Sequence, residues 1–170
     1  DRDGQEVEQA RPQREKVIDQ TTAYLMTSLL EEVVKSGTGR RVKALNRPTA
    51  GKTGTTNNLF DAWFVGYTPE YITGVWVGFD DEASLGVGET GSRAASPIWL
   101  GFMQRLLDDK PVRVFQAPEG VVFTKIDAET GLLPIRESKK TYFECFKEGT
   151  VPTEHTPRPD VVTEPEQFFK

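Results

Sequence analysis

Two apolar segments separated by a short turn constrain the fold of this chain most. Residues 60–67 and 71–79 are rich in aromatic and β-branched side chains, and Thr68-Pro69-Glu70 separates them. Such segments favour β-strands, and so short a connection predicts an antiparallel hairpin. Alternate residues of a strand point to opposite faces, and in the first segment both sets are apolar: Trp63, Val65 and Tyr67 on one face, Phe60, Ala62 and Phe64 on the other. We therefore expect a sheet covered on both faces, with helices as the cover.

Two other segments have the apolar periodicity of helices that could provide this cover. In residues 19–36, apolar side chains recur every three or four positions, and Asp19 or Thr21 can act as the N-cap. A second apolar periodic segment opens at Ser96-Pro97, with Ser96 predicted as the N-cap and Pro97 as the first helical residue. The predicted fold class is α+β, an antiparallel sheet covered by helices.

The remaining segments have weaker patterns. Residues 121–126 are predicted to form a strand, and residues 127–131 the turn after it. Residues 1–16 are polar and predict a short edge strand or an extended arm. Three aromatic residues are expected to anchor the later part of the chain to the body: Tyr142, Phe143 and Phe146. We interpret residues 1–149 as the folded part and residues 150–170 as a proline-rich acidic tail, extended or disordered.

Composition and rare residues exclude several functional classes. The formal net charge is -5, and the basic residues near position 41 form only a short patch, so no nucleic-acid partner is expected. Cys145 is the only cysteine, which excludes an internal disulfide and a cysteine-based zinc site. His155 is the only histidine and lies in the proline-rich tail, so a Ser-His-Asp triad is not expected. No apolar run approaches the roughly 18 residues that span a bilayer.

The segment before the hairpin, Pro48–Asn58, is small and polar where a core strand would carry bulky residues. Glycine inside a strand usually marks close approach by a ligand or by another backbone. Thr53 and Thr55 share one strand face, and Lys52 supplies an ammonium group. The segment predicts a site for an anion and a carbonyl group; a polar turn before the hairpin is the alternative.

A phosphate-binding P-loop is a tempting but unsupported interpretation of Gly51-Lys52-Thr53. That motif requires a glycine five positions earlier, where this chain has Asn46, and a helix afterwards, where this chain has β-type sequence. The glycine-rich residues 36–39 come after a helix instead of leading into one, which favours a plain connection. The remaining interpretation is acyl transfer. In such a site a lysine lies beside a serine nucleophile, a strand N–H donates to an oxyanion, and Gly54 leaves room for a substrate backbone.

The stretch Ala50-Gly51-Lys52-Thr53-Gly54-Thr55-Thr56-Asn57-Asn58 resembles the third active-site motif of penicillin-binding proteins. Residues 61–69 and 74–80 are similar to the strands after that motif in class A (bifunctional) enzymes, and residues 92–99 resemble their loop into the last long helix. The resemblance runs from roughly residue 19 to residue 149. It implies that residues 1–149 are the C-terminal portion of a transpeptidase domain of the penicillin-binding and β-lactamase-like fold, incomplete without upstream strands and helices.

The resemblance also implies a function, a serine-type D,D-transpeptidase that cross-links peptidoglycan and is acylated by β-lactams. Its substrates would be stem peptides that end in D-Ala-D-Ala. Implied catalytic residues are Lys52, which orients the substrate and tunes the proton network, and Thr55, whose N–H is an oxyanion donor. The implied substrate-binding residues are Lys52, Thr53, Gly54, Thr55 and Thr56. No cofactor or metal is implied, and the parent protein is expected at the periplasmic face of the inner membrane in the bacterial cell envelope, held by an upstream anchor.

The chain departs from the family pattern in its serines. The family nucleophile lies in a Ser-x-x-Lys motif and a second motif reads Ser-x-Asn, but neither pattern occurs at any of the six serines: Ser28, Ser36, Ser84, Ser92, Ser96 and Ser138. The resemblance therefore implies a nucleophile upstream of Asp1, on the N-terminal remainder of the same domain. That remainder is the expected partner, and this chain alone is expected to be inactive. The alternative is a noncatalytic peptide-binding module that retains the transpeptidase fold.

Overall fold

The computed structural model describes residues 15–158, which form two antiparallel sheets and two α-helices. The elements in chain order are α1 (Gln20–Lys35), a 3-10 helix (Arg40–Leu45), β1 (Ala50–Thr55), β2 (Asp61–Tyr67), β3 (Ile72–Gly78), a π-helical turn (Gly91–Ala95), α2 (Ser96–Leu107), β4 (Val121–Asp127) and β5 (Thr141–Lys147). An edge strand or arm is expected over residues 1–16, of which residues 1–14 lie outside the described residues.

The larger sheet has the order β1-β2-β3, with both neighbouring pairs antiparallel. The hairpin predicted from the two apolar segments is therefore confirmed, and the small, polar segment Pro48–Asn58 before it contains β1. The hairpin turn is closed at Thr68, whose N–H donates to the carbonyl oxygen of Tyr71 at 2.9 Å. In this register Trp63 of β2 lies between Gly54 of β1 and Trp76 of β3.

The two helices begin differently. Helix α1 begins as expected, because the carboxylate of Asp19 accepts a hydrogen bond from the N–H of Thr22 at 2.8 Å. The N-cap predicted for α2 is wrong, since Ala95 occupies that position and Ser96 is already helical. The hydroxyl of Ser96 donates instead to the carbonyl oxygen of Ser92 at 2.7 Å. The physical reason is that the π-helical turn runs directly into α2, so no extended residue precedes the helix.

Both helices pack on one face of the sheet and share one buried cluster with it: Val34, Val42, Leu45, Phe64, Ala95, Trp99, Met103 and Leu107. Trp99 lies at its centre, with its ring centroid 5.3 Å from that of Phe64. The indole N–H of Trp99 donates to the carbonyl oxygen of Thr73 in β3 at 3.0 Å. Gly66 makes room for the indole, because a Cβ at this position would lie 2.9 Å from Trp99 Cζ2.

The opposite face of the sheet is about half exposed within residues 15–158. Trp63, Val65 and Trp76 line this face and expose 45%, 42% and 45% of their surface. The expectation of cover on both faces is therefore met on one face only in the described part of the chain. The two indoles contact each other with centroids 6.3 Å apart, and the N–H of Trp76 donates to Asp61 at 2.8 Å.

The smaller sheet pairs β4 with β5 in an antiparallel hairpin. The strand over residues 121–126 and the turn after it are confirmed, whereas β5 was not predicted. The aromatic contact with α1 comes from Phe123, whose ring packs edge-on against Tyr24 with centroids 6.2 Å apart. The anchoring role expected for Phe143 is wrong, since this side chain is 70% exposed. Phe143 lines an open cavity together with Ser28 and Leu29 of α1 instead of packing closely against them.

The segment after residue 149 forms no helix or strand up to residue 158, where the described part ends. It runs beside Leu133, whose N–H donates to the carbonyl oxygen of Glu154 at 3.0 Å. The N–H of Thr156 donates back to the carbonyl oxygen of Leu133 at 2.8 Å. These two bonds hold this part of the proline-rich segment against the loop that connects β4 and β5.

Arg47 connects the segment before β1 to the end of α2. Its guanidinium donates to the carbonyl oxygens of Leu107 at 2.6 Å, Lys110 at 2.7 Å and Pro111 at 3.1 Å. Arg47→Ala removes all three of these hydrogen bonds, and within residues 15–158 only the Leu107 oxygen keeps a partner, the N–H of Lys110 at 3.1 Å, so we expect the free energy of unfolding to fall by about 2 kcal/mol in urea denaturation. Arg41→Ala, at an exposed position, should change it by less than about 0.5 kcal/mol. Equal effects of the two variants would contradict the prediction.

Candidate active site

The free edge of β1 is the feature around which the candidate site is built. The N–H of Thr56 donates to Asp61 in β2 at 3.2 Å, and N–H groups of alternate residues in a strand point the same way. The N–H groups of Thr53 and Thr55 therefore point away from β2, toward an edge that no strand within residues 15–158 covers. Such an edge can pair with an extended peptide or donate to a carbonyl oxygen.

Lys52 brings positive charge to this edge. Its side chain is exposed, and Nζ donates to the carbonyl oxygen of Thr53 at 2.7 Å and lies 3.4 Å from Thr53 Oγ1. The two ion pairs found within residues 15–158 involve other residues. The ammonium of Lys52 thus has no carboxylate partner in the described part of the chain, and its charge is available to an anionic ligand.

The hydroxyl of Thr53 contacts a residue from a different element. Thr53 Oγ1 lies 2.8 Å from Thr38 Oγ1, in the loop after α1. The sequence interpretation of residues 36–39 as a plain connection missed this residue. The only local signal was a threonine between two glycines, which does not indicate which strand the loop lies against.

The hydroxyl of Thr55 is also held from outside the strand. Thr55 Oγ1 accepts a hydrogen bond from the N–H of Gly91, the first residue of the π-helical turn, at 3.1 Å. Gly91 is buried directly against β1, because a Cβ at this position would lie 2.6 Å from the carbonyl oxygen of Gly54. The Thr55 oxygen is thus fixed as an acceptor, which leaves its hydrogen able to donate to a ligand.

The two glycines of β1 have packing functions that the sequence did not show. A Cβ at Gly51 would lie 2.8 Å from Phe64 Cζ, and a Cβ at Gly54 would lie 3.2 Å from Trp63 Cβ. Both positions therefore make room for aromatic side chains of β2. Any role of Gly54 in leaving space for a substrate adds to this packing requirement.

Thr56 lies where β1 turns into β2. Its Oγ1 accepts hydrogen bonds from the N–H groups of Phe60 at 3.0 Å and Asp61 at 2.9 Å, which closes the turn. The structure thus brings Lys52, Thr53 and Thr55 together at the free edge and places Thr56 at its end. Direct substrate binding by Thr56 stays a prediction.

Other reactive groups in the described residues do not indicate a different chemistry. No cluster of three or more His, Cys, Asp or Glu side chains suited to a metal ion occurs within residues 15–158. Cys145 is buried, and burial raises the pKa of its thiol, which disfavours the nucleophilic thiolate. Among the same residues, no helix combines the length and apolar character needed to cross a membrane.

Comparison with protein families identifies the group to which this site belongs. Residues 3–100 match the model of the penicillin-binding protein transpeptidase domain. The chain belongs to this family. Residues 117–158 match a second model, the C-terminal domain of penicillin-binding protein 1A. The family resemblance inferred from the residues around Lys52 is confirmed.

Individual relatives agree with the family match. Penicillin-binding protein 1A of Pseudomonas aeruginosa is 48% identical over 139 residues, which cover 81% of this chain and 17% of the relative. That of Aquifex aeolicus is 38% identical over 152 residues, 89% of this chain and 21% of the relative. The crystal structure of penicillin-binding protein 1A from Haemophilus influenzae superposes with a TM-score of 0.76 at 36% identity, covering 83% of this chain and 22% of that one. The chain spans about a fifth of these relatives.

Proposed function

We propose that the protein containing this chain is a peptidoglycan D,D-transpeptidase in which the free edge of β1 forms one wall of the active site. The observation that carries the proposal is the convergence of three kinds of group at one open strand edge. These are the ammonium of Lys52, the outward N–H groups of Thr53 and Thr55, and the hydroxyls of the same two threonines.

Each group has a role in acyl transfer. The terminal carboxylate of a D-Ala-D-Ala stem peptide, or that of a β-lactam, accepts hydrogen bonds from the hydroxyls of Thr53 and Thr55 beside the charge of Lys52. The N–H of Thr55 donates to the carbonyl oxygen under attack, where negative charge develops. One such donor stabilises the transition state by about 2.7–4 kcal/mol.

The nucleophile is a serine outside these 170 residues, because none of the six serines here has a lysine three positions later. Its hydroxyl oxygen bonds to the carbonyl carbon while its proton passes to a base. The base then gives this proton to the nitrogen of the leaving D-alanine, whose bond to the carbonyl carbon breaks. The resulting ester is then attacked by the amine of a second stem peptide, which restores the serine and forms the cross-link. Lys52 assists by stabilising negative charge and by orienting the substrate.

The rest of the protein supplies the groups that this part lacks. The N-terminal remainder of the transpeptidase domain brings the nucleophile to the edge of β1. The protein acts at the periplasmic face of the inner membrane in the bacterial cell envelope, held by an upstream anchor. A noncatalytic module that kept the fold would not require, beside two ordered hydroxyls, an ammonium that pairs with no carboxylate within residues 15–158, so we favour the enzyme.

Thr55→Val tests the proposal in the complete protein. Valine keeps the shape of threonine but removes the hydroxyl donor, while the backbone N–H stays. We expect the second-order rate constant for acylation by a fluorescent penicillin to fall about tenfold, the effect of one hydrogen bond to a charged group. The measurement is the time course of covalent labelling.

Thr55→Ser is the matched control, because it keeps the hydroxyl and should label within about threefold of the parent protein. Thermal unfolding of both variants separates a binding effect from the loss of the Gly91 hydrogen bond. Labelling of the Val variant at the parental rate would rule out carboxylate binding by Thr55.

A further inference from the structure

The loop after α1 presents one side chain to the candidate active site. The N–H groups of Gly37 and Gly39 both donate to the carbonyl oxygen of Val33, at 3.1 and 3.0 Å. The chain thus wraps over the last turn of α1 and returns to the same acceptor two residues later. Thr38 lies between the two glycines and faces β1.

Both flanking glycines are required by this wrapping. A Cβ at Gly37 would lie 2.9 Å from Val33 Cα, and a Cβ at Gly39 would lie 3.2 Å from the carbonyl oxygen of Val33. The backbone on either side of Thr38 is therefore fixed against the helix. A loop that only connected two elements would have no need of a hydroxyl directed at the neighbouring strand.

The hydrogen-bond capacity of Thr53 indicates the role of Thr38. A threonine hydroxyl has one hydrogen and two acceptor positions. The ammonium of Lys52, 3.4 Å from Thr53 Oγ1, can only donate, and the contact with Thr38 at 2.8 Å allows either direction. When Thr38 donates, the Thr53 oxygen accepts from both neighbours and its own hydrogen is left for a third group.

A bound anion favours this direction, because a hydroxyl hydrogen bonds more strongly to a carboxylate than to a neutral hydroxyl. We propose that Thr38 is a positioning residue that donates to Thr53 and so directs the Thr53 hydroxyl hydrogen at the substrate carboxylate. This inference rests on the proposed function of the β1 edge. Gly91 acts on Thr55 in the corresponding way, since its N–H occupies an acceptor position of that hydroxyl.

Thr38→Val tests the inference in the complete protein, with a penicillin and its methyl ester as probes. We expect acylation by the free acid to slow about five- to tenfold, because the Thr53 hydroxyl loses the donor that orients it. Acylation by the ester, which has no carboxylate to bind, should change less than about twofold. Thr38→Ser keeps the hydroxyl and should restore the parental rate with both probes.

A double-mutant cycle with Thr53→Val separates positioning from a direct or structural role. In the Thr53→Val background, Thr38→Val should cause no further loss with the free acid. A full additional loss, or an equal loss with acid and ester, would overturn the inference. Thr38→Ala provides a second hydroxyl-free variant if the valine variant does not fold.

The same measurements distinguish failure of the inference from failure of the proposed function. If Thr53→Val slows acylation but Thr38→Val does not, only the positioning role is wrong. If Thr53→Val leaves the rate for the free acid unchanged, Thr53 does not bind the carboxylate and the proposed function of this edge is contradicted.

Discussion

Replacing Trp99 with alanine is expected to lower the free energy of unfolding by about 3–5 kcal/mol, the range for removal of a large buried aromatic side chain. Trp99 is fully buried, packs edge-on against Phe64 and donates to the carbonyl oxygen of Thr73. The variant creates a cavity between α2 and the sheet and leaves that carbonyl without its indole partner. Gly66, which makes room for the indole, cannot fill the space.

Urea denaturation monitored by circular dichroism measures this effect. Phe102→Ala is the matched control, because Phe102 lies on the same helix, is 51% exposed and should cost less than about 1 kcal/mol. If both variants destabilise the protein equally, Trp99 is not the centre of the core. Penicillin labelling of Trp99→Ala should fail together with folding, since α2 begins directly after the turn that holds Thr55.

The helices and the main hairpin could be predicted because their signals are local. Runs of aromatic and β-branched residues within 60–79 predict the strands, and the periodicity within 19–36 predicts α1, with Asp19 as one of its two candidate caps. Strand β5 was missed because charged residues interrupt its pattern, with Glu144 and Lys147 among aromatic side chains. The cap of α2 was misassigned because a π-helical turn before Ser96 has no sequence pattern that separates it from a loop.

The candidate site could be predicted only in part, because only some of its contacts join residues that are close in sequence. Lys52, Thr53 and Thr55 were identified because they lie in one short motif on one strand. Thr38 and Gly91 were missed because their contacts join residues 15 and 36 positions apart in sequence. The sequence suggests a substrate-access role for Gly54, whereas the close approach of Phe64 to Gly51 and of Trp63 to Gly54 becomes visible only when the strand pairing is known.

Replacing Lys52 with methionine is expected to slow acylation by penicillin about 10²–10³-fold, the effect of removing one group that stabilises charge in the transition state. Methionine has a similar length but no charge. Because Lys52 is exposed and pairs with no carboxylate within residues 15–158, the free energy of unfolding should change by less than about 0.5 kcal/mol. A large loss of rate at constant stability is the combination that a structural lysine would not give.

Two further variants and a change of salt concentration extend this test, and all are measured with the complete protein. Lys43→Met removes an exposed lysine from the 3-10 helix and should leave acylation unchanged. Lys52→Arg keeps the charge with a different geometry and should retain more activity than Lys52→Met. The acylation rate of the parent should fall with added salt more steeply than that of Lys52→Met, because screening weakens the attraction between the ammonium and the carboxylate. Parental rates in Lys52→Met would exclude Lys52 from the chemistry, and equal salt dependence would exclude long-range attraction as its contribution.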